Sequence, residues 1–243
     1  MPEAQTEAAG PGWLSVIIPA YREEQAIAEV VRGVKTHAPA LLEVIVVDDG
    51  SDDGTAAAAA SAGAEVLAFS RNRGKAAALQ RGIDAARGEV ILVMDGDGQD
   101  DPRDIPRLLD ALTDGVDWVI GSRFMGSFEP GAITAINRLG TLALRGVANG
   151  LFGLAITDPI AGFRAFRAEA LRSIDVQAFG YEVEVDVLLA LQAAGARVVE
   201  VPVTRHPRSG GVSKLGSIRD GTRILAVLLR HRLGVGRRSA PQA

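Results

Sequence analysis

Val90-Ile-Leu-Val-Met-Asp-Gly-Asp-Gly-Gln-Asp-Asp-Pro102 is a continuous apolar run that stops abruptly in a cluster of acids. A short run of this kind reads as a strand buried on both faces that delivers carboxylates to the edge of a sheet. Residues two apart on an extended chain point the same way, so Asp95 and Asp97 are expected to converge. Two convergent carboxylates suit a hard divalent cation such as Mg²⁺ or Mn²⁺, which commonly brings phosphate with it. Gly96 and Gly98 let the backbone come close to a ligand. A second reading stands beside this one: Asp101 followed by Pro102 is a good helix N-cap and first-turn pair. The cap accounts for Asp101, but not for Asp95 and Asp97 at the end of an apolar strand.

Outward from that stretch, the first half of the chain alternates. Strands are expected at residues 14–19, 43–47, 65–69, 90–94 and 117–120, with helices at 23–37, 54–62, 75–86 and 102–112. Strands alternating with helices imply an α/β fold: a Rossmann-like, mostly parallel central sheet with helices on both faces. Ligands of such sheets bind outside the carboxyl ends of the strands. Polar clusters fall at those ends: Ala20-Tyr-Arg-Glu-Glu24, Asp48-Asp-Gly-Ser51, Asp95-Gly-Asp97 and Gly121-Ser-Arg123.

The second half reads differently. Residues 133–150 form an unusually apolar helix interrupted by Arg138 and Arg145, and residues 158–167 read as irregular. A helix at 182–192 and a strand at 196–203 follow, then a basic loop, Arg208-Ser-Gly-Gly-Val-Ser-Lys214. The last helix, 215–233, carries Leu215, Ile218, Leu225 and Leu229 on one stripe and Arg219, Arg223 and Arg230 on another. That amphipathic pattern fits either a membrane surface or packing against the body of the domain.

Composition narrows the chemistry. The chain has no cysteine, so disulfides, thiolate zinc sites and cysteine nucleophiles are excluded. Three histidines, His37, His206 and His231, argue against a multi-histidine metal site. The first twelve residues lack the basic and apolar segments of a signal peptide and read as a disordered tail. No apolar stretch approaches the ~20 residues of a membrane span. The net charge of −4 hides an asymmetry: residues 204–238 carry nine Lys/Arg against one acid, so that segment is +8 and the remainder −12. A basic end on an acidic body points to an anionic partner. Nucleic acid is not expected, because aromatic residues are only 5% of the chain and none interleave the basic region.

The glycine-rich phosphate loop, the dinucleotide fingerprint and the nucleophile elbow are all absent. What remains is a nucleotide-and-metal site without a phosphate loop. Here Ser15-Val-Ile-Ile-Pro-Ala-Tyr-Arg-Glu-Glu24, Val44-Ile-Val-Val-Asp-Asp-Gly-Ser-Asp-Asp-Gly-Thr55, Asn72-Arg-Gly-Lys75 and Asp95-x-Asp97-x-Gln99 resemble family 2 glycosyltransferases of the GT-A fold. Gly121-Ser-Arg-Phe124, Asp158-Pro-Ile-Ala-Gly-Phe-Arg164 and Arg208-Ser-Gly-Gly-Val-Ser-Lys214 resemble the dolichyl/polyprenyl-phosphate sugar synthase branch. The resemblance spans residues 14–233. It implies one catalytic domain over 13–235, with a nucleotide-binding half to residue 123, an acceptor-binding half bearing the amphipathic helices, and flexible tails at 1–12 and 236–243.

The resemblance also assigns roles. Pro19, Ala20, Tyr21, Glu23, Asp49, Lys75, Asp95 and Gly96 would border the nucleotide. Asp95, Asp97 and Gln99 would hold Mg²⁺ or Mn²⁺ on the diphosphate of a donor such as GDP-mannose or UDP-glucose. Arg123, Arg138, Arg208, Ser213 and Lys214 would receive phosphate oxygens, with Glu184 near the acceptor and Asp97 and Asp158 as the catalytic pair. The implied reaction is an inverting transfer of a hexose to a polyprenyl phosphate. It would run at the cytoplasmic membrane face on a peripherally bound enzyme, with a homodimer left open. A lipid phosphate is already anionic and needs cations and an apolar surface. A glycan hydroxyl, the rival acceptor, needs a general base, for which Asp158 and then Glu184 are the candidates. A non-catalytic nucleotide-sugar-binding membrane scaffold is the rival outside enzymes.

Overall fold

The computed structural model describes residues 12–174, 180, 182–209 and 218–233, with side chains in the last segment from residue 222 onward. Ser213 and Lys214, the tails at 1–11 and 236–243, and the side chains of Ile218 and Arg219 lie outside the described residues.

The first half follows the expected alternation: β1 (Leu14–Ala20), α1 (Ile27–His37), β2 (Leu41–Asp48), α2 (Thr55–Ser61), β3 (Glu65–Ala68), α3 (Lys75–Ala85), β4 (Val90–Val93) and α4 (Ile105–Asp110). The second half supplies β5 (Trp118–Phe128), α5 (Ala135–Phe152), β6 (Arg164–Arg167), α6 (Ala168–Arg172), α7 (Val183–Ala193), β7 (Val198–Arg205) and α8 (Ile218–Arg232). Strands from both halves enter one seven-stranded sheet in the order β3-β2-β1-β4-β6-β5-β7. All its pairings are parallel except those of β6, which runs antiparallel to both neighbours.

Strand alternation splits the core into two layers. Ile17, Ile45, Val47, Ile91 and Val93 face one side, where α3 and α7 pack. Val16, Ile18, Val44, Val46 and Leu92 face the other, under α1 and α4. The stripe Ile27, Val30, Val31 and Val34 puts one face of α1 in that core at helical spacing. Each fully buried aliphatic side chain contributes roughly 1.5–3 kcal/mol. A third cluster, Ala148, Val185, Leu189, Ile224, Val227 and Leu228, joins α5, α7 and α8.

Several expected elements are corrected. Residues 158–167 are not irregular throughout: Arg164–Arg167 is β6, wedged between β4 and β5. Arg-Ala-Phe-Arg lacks β-branched residues, so only its tertiary pairing makes it a strand. Phe166 stacks on Trp118 of β5 with ring centroids 5.6 Å apart. The strand expected to stop at Ile120 continues to Phe128, paired with β7 across an irregularity between Ser122 and Ser127. The five-residue helix α6 was not foreseen. The helix expected at 102–112 is a 3-10 turn at Pro102–Asp104 followed by α4, and α1 starts at Ile27 rather than at residue 23.

Helix α5 is capped by Thr134, whose hydroxyl accepts from the Asn137 amide at 3.2 Å, and it stops at left-handed Gly153. Its outer face leaves Ile136 81% and Leu139 69% exposed, and α8 exposes Leu225 and Leu229. No described helix is long and apolar enough to cross a membrane.

Candidate active site

The carboxyl ends of β1, β2, β4, β5 and β7 meet at a cleft of about 1280 Å³. Tyr21, Glu23, Asp49, Lys75, Asp95 and Asp97 line it. So do the apolar side chains of Ile136, Leu144 and Val147 of α5, with Leu225 and Leu228 of α8.

The turn after β1 is clamped to the turn after β2. Arg22 has a left-handed backbone (φ 57°), unusual for a side-chain-bearing residue. Its amide donates to Ser51 Oγ at 2.9 Å, and its guanidinium makes a fork on Asp52 with both contacts at 2.6 Å. The Glu23 amide donates to Thr55 Oγ1 at 2.8 Å. This clamp orients Tyr21 and Glu23 into the cleft. Asp49 is buried and accepts the amides of Arg73 and Gly74 at 2.7 and 2.8 Å, fixing the 72–74 loop that precedes α3. Burial pushes its carboxyl above the usual range, with the two amide bonds opposing.

At the end of β4 the two acids come together as expected. Asp95 Oδ2 and Asp97 Oδ2 lie 4.0 and 3.9 Å from the same nitrogen, Arg205 Nη2, so they face one point. Gly162 backs Asp95 so closely that a Cβ there would stand 2.9 Å from Oδ2. Burial raises the Asp95 carboxyl, but the charges of Lys75 and Arg205 outweigh it and hold the group well below the usual range. Asp97 moves the opposite way, raised by burial and then by the neighbouring Asp95 charge. Among the described residues no group of three or more His, Asp and Glu forms a metal cage. Two convergent carboxylate oxygens still fit Mg²⁺ or Mn²⁺, because such an ion takes its remaining oxygens from phosphate and water.

The other expected site residues have the following partners. Gln99 Nε2 donates to the carbonyls of Ala132 (3.2 Å) and His206 (3.1 Å), while Oε1 accepts at 3.0 Å from Arg205 Nη2, the same nitrogen that the acid pair faces. Asp101 keeps the capping role, accepting the Arg103 amide at 2.9 Å, and its other contacts are Arg103 and His206. Lys75, expected to flank the nucleotide, bridges Asp95 Oδ1 and Glu184 Oε1 at 2.6 Å each. Arg208 reaches across the cleft mouth to Glu23 and to Asp97 Oδ2, the latter at 3.0 Å. Arg138 is exposed over the Phe128 ring at 6.0 Å and does not line the cleft.

Asp158 is fully buried. Both its oxygens accept from the Arg123 guanidinium at 2.7 Å, and Oδ2 also accepts the Arg123 amide at 3.1 Å. Behind it, Glu200 of β7 accepts the amides of Thr157 (2.6 Å) and Asp158 (3.0 Å). Sequence reading missed Glu200 and also Arg205, which ties Asp100, Gln99 and the acid pair together. Both sit on a β strand whose alternation gives no sign that it ends at the site. Arg164 was quoted only as part of a motif. It is buried over Trp118 at 5.5 Å and donates to the carbonyls of Glu184 (2.7 Å) and Pro159 (2.9 Å). Burial lowers its guanidinium to about 10.

Residues 15–175 match the model of the glycosyl transferase family 2. Glycosyltransferase AglJ of Haloferax volcanii is 33% identical over 222 residues, 90% of this chain and 72% of that protein. Polyprenol monophosphomannose synthase of Mycolicibacterium smegmatis is 38% identical over 216 residues, 82% of this chain and 80% of that protein. Among solved structures, glucosyl-3-phosphoglycerate synthase from Mycobacterium tuberculosis with Mg²⁺ and uridine diphosphate superposes with a TM-score of 0.74. It is 26% identical, over 94% of this chain and 82% of that one.

Proposed function

This chain belongs to glycosyl transferase family 2 and is a glycosyltransferase, and from that premise we propose that it transfers a hexose from a nucleoside-diphosphate sugar to a polyprenyl phosphate. The observation that carries the proposal is the cleft itself, which is lined both by an acid pair and by apolar side chains of two helices. Asp95 and Asp97 would hold the divalent cation, which when bound neutralises charge developing on the leaving diphosphate. Tyr21, Glu23 and Asp49, which line the cleft, would border the nucleotide. Arg123 and Arg205 line the cleft as well. Arginine's planar donor fork suits the phosphate oxygens of donor and acceptor.

The state of the two candidate bases favours a phosphate acceptor. Glu184 Oε1 is held by Lys75 and both Asp158 oxygens by Arg123, and a carboxylate stabilised by a neighbouring cation is a weaker base towards a hydroxyl. A phosphate monoester needs no base. Its anionic oxygen forms the new bond to the anomeric carbon while the bond to the diphosphate oxygen breaks, and that electron pair leaves on the nucleoside diphosphate. A single displacement of this kind inverts the anomeric centre.

On this reading the exposed apolar side chains of α5 and α8, with the nearby Arg138 and Arg145, rest on the cytoplasmic face of a membrane and receive the isoprenoid chain. Arg208, now paired with Glu23 and Asp97, would receive phosphate oxygens when the donor binds. The test is transfer of radiolabel from UDP- and GDP-sugars with Mg²⁺ or Mn²⁺, to undecaprenyl or dolichyl phosphate in vesicles or to soluble 3-phosphoglycerate. Label in the lipid phase that depends on Asp95 and Asp97 supports the proposal. Label in phosphoglycerate alone, or transfer that survives loss of both acids, overturns it.

A further inference from the structure

We propose that Lys75 and Glu184 are positioning residues that set the net charge around Asp95 and which of its oxygens is presented, and thereby the affinity of the divalent cation. This rests on the metal reading given above. Lys75 opens α3 and Glu184 lies in the first turn of α7, so two helices on the same face of the sheet meet beneath the end of β4. Lys75 Nζ takes Asp95 Oδ1 and Glu184 Oε1, both at 2.6 Å. With Oδ1 engaged, Oδ2 is the oxygen Asp95 turns towards Arg205 and Asp97. The side chains are almost enclosed, Lys75 15% and Glu184 8% exposed, so solvent screens their charges little. Glu184 is itself anchored from behind, its carbonyl accepting from buried Arg164.

The charge count gives the proposal its signature. Asp95, Glu184 and Lys75 together carry −1. Glu184→Gln raises this to 0, Lys75→Met lowers it to −2, and the double variant returns it to −1. Packing alone would make every substitution weaken the site. Charge balance instead predicts opposite signs for the two single variants and cancellation in the double. One unit charge at this range is worth on the order of tenfold in affinity.

The experiment measures Mn²⁺ affinity by electron paramagnetic resonance of the free ion, with UDP or GDP present, and donor kcat and KM alongside. Mn²⁺ should bind about tenfold more weakly to Glu184→Gln, about tenfold more tightly to Lys75→Met and near wild type to the double variant. Lys75→Met should also lose kcat despite its tighter ion, because both Asp95 oxygens are then loose. If Lys75→Met does not fold, the rescue of Glu184→Gln by the double variant carries the same test. Weakening in both single variants, or no recovery in the double, overturns the proposal. A wild-type protein that binds no Mn²⁺ overturns the metal reading itself, and the proposal with it.

Discussion

Asp158→Asn separates an anchoring carboxylate from a catalytic one. The wild-type side chain is fully buried and accepts three bonds from Arg123: two at 2.7 Å from the guanidinium and one at 3.1 Å from the amide. An asparagine retains one acceptor oxygen and turns an NH₂ towards a guanidinium that carries only donors. Arg123, 14% exposed, is then left as a buried cation without its counter-charge. Breaking a buried ion pair from one side costs about 3–5 kcal/mol. That is a large fraction of the roughly 5–15 kcal/mol by which a domain is stable. With a urea m-value of about 2–3 kcal/mol per molar for a domain of this size, the midpoint should fall by roughly 1–2 M. Replacing the pair together, Arg123→Met with Asp158→Leu, should recover much of that stability, because no unpaired charge remains. It should not recover transfer, because the cleft has lost an arginine. The assays are urea unfolding followed by fluorescence and the radiolabel transfer described above. The reasoning is refuted if Asp158→Asn unfolds at the wild-type midpoint yet abolishes transfer, since Asp158 would then act on the substrate.

Other outcomes follow from the same contacts. Gly162→Ala would put a methyl 2.9 Å from Asp95 Oδ2, so Mn²⁺ binding should weaken while far-UV circular dichroism stays unchanged. Gln99→Leu removes three hydrogen bonds that tie the acid turn to Ala132, Arg205 and His206, lowering stability by about 1–3 kcal/mol, and should weaken Mn²⁺ binding because Oε1 faces the same point as the acid pair; wild-type affinity would strike Gln99 from the ligands. His206 sits between Glu129 and Asp101, whose hydrogen bonds outweigh burial and raise its pKa above the ordinary value. Its contribution to stability is therefore complete below about pH 6.5 and is lost as pH rises through the folded value. His206→Gln should accordingly narrow the stability gap to wild type at pH 9 relative to pH 6, as read by thermal unfolding. Ile136→Asp with Leu139→Asp, both on the exposed face of α5, should abolish sedimentation with anionic vesicles without lowering the unfolding temperature.

The alternation that names the α/β fold was legible because burial on both faces makes parallel strands read as uninterrupted apolar runs. Val44 to Val47 and Val90 to Met94 are such runs, and each ends in the acids that open the site. Glycine and acid types at strand ends were equally legible, since few other residues serve a metal and a phosphate. Strand β6 was not legible. Arg164-Ala-Phe-Arg167 has neither length nor β-branched residues, and its antiparallel place between β4 and β5 is imposed by partners that lie over 40 residues away.

Side-chain roles were the harder part, because a sequence states which groups exist and not which of them meet. Asp95 and Asp97 were placed correctly beside each other since two residues of extended chain decide their direction. By itself the sequence determined the alternating, parallel half of the sheet, the acid pair at its edge and the surplus of arginine that asks for an anion. Only tertiary structure decided how those charges are paired: Lys75 with Asp95 and Glu184, Arg123 with Asp158, Arg205 with Asp100 and Gln99. Such pairs join residues 20 to 109 positions apart. Local propensity acts over a few residues, whereas a buried charge selects whichever counter-charge the folded chain brings within about 3 Å.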